Sequence, residues 1–151
     1  MEGKLHISLD VNSVDEAVQF YSKVFGMAPS KLKPDVEPTY AKFDATSPAI
    51  VLTLEQADAP VIISGVSHMG IRVGSSDEVL AARQRLSEAG IKTLDEMNTT
   101  CCYAVQDKIW ITDPTGYRWE IYHVKADSEI YFAGSDPADC VCCGNKLATA
   151  N

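Results

Sequence analysis

The chain has little with which to grip a polyanion or enter a bilayer. Its 13 Lys and Arg stand against 21 Asp and Glu, a formal charge of -8 over 151 residues, and the basic residues nowhere form a run. Binding nucleic acid by neutralising phosphates is thereby excluded. No stretch approaches the roughly 18 consecutive apolar residues of a membrane span, and the opening Met1-Glu-Gly-Lys-Leu-His6 lacks the apolar core of a signal peptide. The expectation is a cytoplasmic protein with neither nucleic acid nor membrane as partner. Histidine is scarce, at three residues. Cysteine is present but oddly arranged: five residues, with Cys101-Cys102 and Cys142-Cys143 adjacent and Cys140 close by, do not make a spaced disulfide framework. Reduced thiols and small-molecule chemistry are what remain.

Two of the three histidines fall in the same place of a short repeat. His6-Ile-Ser-Leu-Asp10-Val-Asn-Ser13-Val-Asp15-Glu16-Ala-Val18 lies over His68-Met-Gly70-Ile-Arg-Val-Gly-Ser75-Ser-Asp77-Glu78-Val-Leu80 without a gap. Each copy reads as a strand carrying a histidine, then a capped helix. The first strand, Leu5 to Val11, alternates and is rich in aliphatic residues, and Ser13 to Glu16 offers a capping box. Val14, Val18, Tyr21 and Phe25 recur at helical spacing and should face a sheet, with Gly26 ending the helix. Lys31-Leu-Lys33, Tyr40 to Phe43 and Ile50 to Leu54, set apart by Pro34, Pro38 and Pro48, read as three short strands. The second copy repeats the order: strand Ser67 to Val73, helix from Ser75 through Leu86 closed by Gly90, then strands near Ile91 to Leu94, Cys102 to Trp110 and Tyr117 to Val124. Asp113-Pro-Thr-Gly116 between the last two is a type I turn signal.

The expected fold is therefore α+β, two tandem βαβββ modules at about 4–56 and 66–125. The short linker around Gln56 to Gly65 packs them as one body over residues 1–125. Residues 126–151 are mostly small and polar and read as a flexible, cysteine-containing tail.

A lone strand histidine is commonly structural, but matched histidines in two copies that pack about a pseudo-twofold axis converge on one point. His6 and His68 are the expected metal ligands. Glu120, a charge inside the apolar strand Tyr117-Arg-Trp-Glu120-Ile-Tyr-His-Val124, is costly to bury unless partnered and is the third candidate. His123 lies three residues on, turned to the other face by strand alternation. The symmetric position in the first module, Ile50 to Leu54, offers only apolar side chains and Thr53, so no fourth ligand is expected. Two histidines and a carboxylate with open positions make the facial triad associated with Fe(II) and dioxygen, although Mn, Ni or Zn can take similar ligands.

The paired βαβββ units, the first-strand histidines, the Asp-Pro-x-Gly turn and the last-strand glutamate together resemble the vicinal oxygen chelate superfamily, which includes glyoxalase I, extradiol dioxygenases, fosfomycin-resistance enzymes and bleomycin-binding proteins. The resemblance covers residues 4 to about 125. With Cys101-Cys102 added, the chain looks like the organoarsenical carbon-arsenic lyases of that superfamily, Fe(II)-dependent dioxygenases. The resemblance implies that His6, His68 and Glu120 hold Fe(II), that Cys101 and Cys102 hold a trivalent organoarsenical, and that dioxygen reacts at an open iron position. Methylarsenite, or an aromatic trivalent arsenical, would then yield arsenite.

Trivalent arsenic is soft and suits paired thiolates. A regular strand aims adjacent residues to opposite faces, so sharing one arsenic requires a bulge or loop, with Asp95 to Thr100 the expected mobile loop. Cys140, Cys142 and Cys143 on a tethered tail are candidates for an arsenic relay. Paired units of this superfamily also assemble across a homodimer. Two other functions use similar parts. A fosfomycin-type thiol transferase would need cations for its phosphonate, which this acidic chain lacks. A non-catalytic arsenical- or drug-sequestering protein would bind stoichiometrically. Glyoxalase chemistry, with four protein ligands, fits the apolar strand Ile50 to Leu54 poorly.

Overall fold

The computed structural model of the protein describes residues 3–131; Cys140, Cys142 and Cys143 lie outside the described residues. The described residues divide into two compact units, 3–64 with 112–117, and 65–111 with 118–131.

The first unit runs β1 (Leu5–Val11), α1 (Val14–Phe25), β2 (Lys31–Lys33), β3 (Tyr40–Thr46) and β4 (Ala49–Gln56). Its sheet has the order β1-β4-β3-β2, with β1 parallel to β4 and the other pairs antiparallel. At the start of α1 the Ser13 hydroxyl accepts from the Glu16 amide, which supplies one of the helix's orphan donors with a partner. Gly26 closes the helix at φ 64°, the left-handed conformation that a residue without Cβ adopts at little cost. The core stripe of α1 is Val14, Ala17, Phe20, Tyr21 and Val24, with Val18 and Phe25 half-buried at its margins. Small Ala17 completes the i, i+3, i+4, i+7 pattern that the larger Val18 was expected to fill. Phe25 still reaches the sheet, 5.7 Å from the Phe43 ring. Phe43, Leu52 and Leu54 are fully buried beneath the helix, each contributing roughly 1.5–3 kcal/mol of apolar transfer.

The Asp113-Pro-Thr-Gly turn forms as its sequence predicts, with the Gly116 amide donating to the Asp113 carbonyl at 3.0 Å. It belongs to the first unit. The Asp113 carboxylate explains why: one oxygen accepts the amides of Thr115, Gly116 and Tyr117 at 2.8–2.9 Å, and the other accepts the Tyr21 hydroxyl of α1 at 2.8 Å. Burial raises the Asp113 pKa above the ordinary aspartate value, against the opposing effect of these four hydrogen bonds.

The second unit contains β5 (Met69–Arg72), α2 (Ser76–Glu88), β6 (Leu94–Cys101), β7 (Ala104–Thr112, entering the turn) and β8 (Arg118–Asp127), in the order β5-β8-β7-β6. β5 is parallel to β8. Here the capping box is complete, Ser75 and Glu78 each serving the other's backbone amide.

Four sequence expectations change in this unit, the first being the strand near Ile91 to Leu94, whose place in the order is taken by β6 beginning at Leu94. Asp95 to Thr100 is not a loop: it is most of β6, paired with β7 and interrupted by a bulge between Glu96 and Thr99 with Asn98 at φ 53°. The first strand is shorter than Ser67 to Val73, leaving His68 one residue ahead of β5. The tail does not begin at 126, because β8 continues to Asp127 and the Ser128 amide donates to the Tyr103 carbonyl at 2.7 Å.

Candidate active site

The hairpin of β6 and β7 places a set of polar side chains on one face of the second sheet. Glu96 faces Lys108, Thr99 faces Gln106 and Cys101 faces Ala104. Residues opposite one another in an antiparallel pair share a face, and so do alternate residues along each strand. Cys101, Gln106, Glu96, Lys108 and Trp110 therefore form one surface. All five are buried. Burying so many polar groups is unfavourable unless they are partnered, and the partners are specific.

At one end stands the carboxylate of Glu120. Its Oε2 accepts from the Lys108 ammonium at 3.0 Å, and its Oε1 lies 3.8 Å from His68 Nε2. The Lys108 ammonium also sits 5.4 Å from the Trp110 ring centre. Trp110 donates its indole N–H to Glu96 at 3.1 Å and meets the His68 ring edge-on at 5.1 Å. Ser67 Oγ is 3.0 Å from His68 Nδ1, so the other imidazole nitrogen is the one turned to the carboxylate. Gly70, the register partner of Glu120, lets this happen: a Cβ there would come within 3.1 Å of both Glu120 Oε1 and the Tyr122 ring.

At the other end of the face are the thiols. β6 ends at Cys101, and Cys102 and Tyr103 form a two-residue turn at φ 55° and 62° before β7 begins at Ala104. Two consecutive left-handed residues are the mark of a type I′ hairpin, normally built from Asn and Gly. Two side chains with Cβ held there store strain of about 1–3 kcal/mol each, a feature that clusters at functional sites. The turn overcomes the alternation of a regular strand and brings the two sulfurs to 3.4 Å. Cys102 is exposed and Cys101 fully buried. The sequence predicted reduced thiols throughout, whereas Cys101 is disulfide-bonded and Cys102 carries the free thiol. Their 3.4 Å separation exceeds the roughly 2.05 Å of an S–S bond, so they are not bonded to each other. Tyr103 is held by Ser128 through its carbonyl and by the Tyr131 ring at 5.4 Å.

On the opposite face of β7, Asp107 buttresses the hairpin. It accepts from the Ser76 hydroxyl and the Asn98 amide and lies 3.4 Å from the Lys125 ammonium. Burial would raise its pKa, but those hydrogen bonds and the Lys125 charge outweigh it and the pKa is lowered. The bulge at Asn98 is thereby pinned.

In the first unit, His6 Nε2 lies 3.4 Å from the hydroxyl of buried Thr53. Register explains the pairing. Ser8 faces Thr53 in β1·β4, and Gly70 faces Glu120 in β5·β8. Because Ser8 and Gly70 are equivalent in the repeat, Thr53 is the counterpart of Glu120, a hydroxyl where the second unit has a carboxylate. His123 Nδ1 is 3.2 Å from the Val73 carbonyl, apart from the His68 and Glu120 pair.

The structure thus brings His68 together with Glu120, and Cys101 with Cys102; His6 is in the first unit. Among the described residues no three His, Cys, Asp or Glu side chains are grouped closely enough to hold a metal ion. The donor pair nonetheless suits a divalent first-row ion: two bonds of about 2.1 Å span up to about 4 Å, and imidazole with carboxylate is the usual ligand chemistry. Sequence reasoning missed Glu96, Gln106, Lys108 and Trp110. For the last three the signal was present in Ala104-Val-Gln106-Asp107-Lys108-Ile-Trp110, where alternate positions of one strand carry an amide, an ammonium and an indole.

Comparison with known proteins places the chain in a family. The chain is 47% identical over 125 residues to the trivalent organoarsenical cleaving enzyme of Bacillus sp. (strain MD1), covering 82% of this chain and 74% of that protein. It is 40% identical over 151 residues to the cadmium-induced protein CadI of Mycobacterium tuberculosis (strain H37Rv), covering 96% and 95%. A glyoxalase/bleomycin resistance protein/dioxygenase from Alicyclobacillus acidocaldarius shares the fold at TM-score 0.64 and 16% identity, over 82% of this chain and 92% of that one. The model of one family matches residues 4–121, and on the repeat, the two βαβββ units and these relatives together, the chain belongs to the glyoxalase/bleomycin resistance protein/dioxygenase superfamily.

Proposed function

We propose that the protein is a lyase that cleaves the carbon-arsenic bond of trivalent organoarsenicals, methylarsenite and its aromatic analogues, in a reaction dependent on Fe(II) and dioxygen. The observation that carries this reading is the face of β6 and β7 that has adjacent thiols at its turn and, at its other end, Lys108 and Trp110 against the Glu120 and His68 pair. Relatives named as trivalent organoarsenical cleaving enzymes support both an enzyme and this substrate class.

His68 and Glu120 are the residues that would hold the iron, and His6 is the repeat counterpart of His68. Bound there, Fe(II) supplies the activation of dioxygen. The chain's own residues account for the rest. Cys101 and Cys102 capture the soft arsenic as thiolates, which requires the Cys101 disulfide to be reduced, the state that a cytoplasm maintains. Lys108 holds one oxygen of Glu120 and leaves the other toward His68. Trp110, buried against His68 and Lys108, keeps water from that end of the face. For the methyl substrate the atoms balance as methylarsonous acid plus dioxygen giving arsenous acid plus formaldehyde, with arsenic trivalent throughout and carbon oxidised.

Arsenic speciation tests the reading. Reduced protein is loaded with Fe(II) without oxygen, mixed with methylarsenite, and then exposed to oxygen. Oxygen-dependent arsenite over many turnovers is the expected result. Stoichiometric, thiol-dependent binding without arsenite would replace it with a sequestering protein.

A further inference from the structure

We propose that Gln106 is a positioning residue for arsenical capture, accepting a hydrogen bond from a hydroxyl still attached to arsenic while its amide nitrogen holds the thiol-bearing turn. This rests on the reading of Cys101 and Cys102 as the arsenical clamp. Gln106 lies two residues along β7 from Ala104, which pairs with Cys101, so Gln106 and Cys101 are diagonal neighbours on one face. The Gln106 Nε2 donates to the Cys101 carbonyl at 3.0 Å. That bond fixes the amide's orientation, because the reversed amide would set two oxygens against each other.

The consequence falls on the other amide atom. Gln106 Oε1 is buried and, among the described residues, is the one buried side-chain nitrogen or oxygen without a hydrogen-bond partner. An unmet buried acceptor is destabilising, and natural proteins keep few of them. Here it sits on the same amide carbon as the nitrogen that donates to the Cys101 carbonyl. A ligand that brings a donor to the thiols would satisfy it.

A trivalent organoarsenical in water brings two, as the hydroxyls of an arsonous acid. The first thiol forms an arsenic-sulfur bond and breaks one arsenic-oxygen bond, its proton leaving with the hydroxyl as water. Arsenic remains trivalent and no oxidant is required. The half-captured adduct keeps one hydroxyl, which donates to Gln106 Oε1 and is held facing the second thiol. Attack by that thiol releases the second water and completes the dithiolate. Gln106 therefore acts on the hydroxylated form of the substrate, and has nothing to hold in an arsenical already bearing two sulfurs.

The experiment compares capture of methylarsonous acid with capture of its bis-glutathione adduct, which has no hydroxyl on arsenic. Reduced full-length protein is freed of reductant and mixed in a stopped flow, following arsenic-sulfur absorbance. In Gln106→Met, capture of the acid should slow about 3- to 10-fold, the loss of one neutral hydrogen bond, while capture of the adduct changes less than about two-fold. Equal slowing with both arsenicals would show that Gln106 only supports the turn and would overturn the proposal; so would no slowing with either. The ratio of the two rates does not depend on the folded fraction, and Gln106→Asn, whose shorter amide cannot span both partners, reads the same ratio if the methionine variant is insoluble. If wild-type protein fails to bind one arsenic per two thiols, the arsenical reading itself falls, a result separate from any effect at Gln106.

Discussion

Replacing Lys108 with methionine should destabilise the protein far more than an ordinary lysine substitution. Lys108 is 1% exposed and its ammonium lies 3.0 Å from the Glu120 carboxylate, itself 8% exposed. Methionine keeps most of the stem's volume, so packing changes little and the electrostatic effect is isolated. The variant leaves the Glu120 carboxylate buried without its counter-charge, and removes the positive charge standing across the strand pair from Glu96. Breaking a buried pair from one side costs about 3–5 kcal/mol, which for a chain of this size lowers Tm by roughly 6–20 °C. Removing both charges, as in K108M/E120Q, should recover most of that loss, since a paired deletion leaves no orphaned ion. The assay is denaturant and thermal unfolding of wild type, both single variants and the double variant as a cycle. A divalent ion held by Glu120 replaces the missing charge, so excess Fe(II) or Mn(II) should restore K108M more than it raises wild type. A K108M loss below about 1 kcal/mol, or a double variant no more stable than K108M, would refute the reasoning.

The two ends of the shared face should separate in function. Cys102→Ser is expected to abolish tight arsenical capture while leaving iron content unchanged, and Glu120→Gln to do the reverse; metal analysis and arsenic binding on the same preparations check this, and joint loss of both properties in either variant would contradict it. Gly70→Ala adds a Cβ at 3.1 Å from Glu120 Oε1 and should weaken metal affinity several-fold with little change in Tm; an unchanged affinity in a metal titration would show that the carboxylate has room to move. Asp113→Asn preserves an acceptor for the three turn amides and removes a titrating group. Because the folded-state Asp113 pKa is raised above 3.8, its contribution is fully present below that value and is lost as pH rises through the raised one. Denaturation between pH 3 and 7 should show wild type losing stability relative to D113N as pH climbs above 3.8; parallel curves would contradict the assignment.

Much of the architecture could be read from residue order because it depends on local chemistry. The Ser13 and Ser75 caps, Gly26 and the Asp113-Pro-Thr-Gly turn act within a few residues of themselves, and each formed where expected. The repeat identified His6 and His68 as equivalent positions, and alternation set His123 apart. The thiol turn was illegible for a physical reason: a type I′ hairpin is signalled by Asn and Gly, and Cys102-Tyr103 adopts it under strain that only the surrounding strands impose. Asp95 to Thr100 accordingly read as a loop, although pairing with β7 makes it a strand.

The sequence by itself determined two βαβββ repeats, their histidines, the last-strand carboxylate Glu120 and a vicinal thiol pair, since periodicity and spacing encode which residues recur and which face they take. Tertiary structure alone decided what those residues meet. Lys108 pairs with Glu120 because β7 lies beside β8, the Gln106 oxygen is unmet because the amide nitrogen is turned to the Cys101 carbonyl, and Cys101 shares a face with Lys108 because the hairpin register aligns them. Such contacts arise from pairing between strands, and register across a sheet is set by burial and turn geometry acting together.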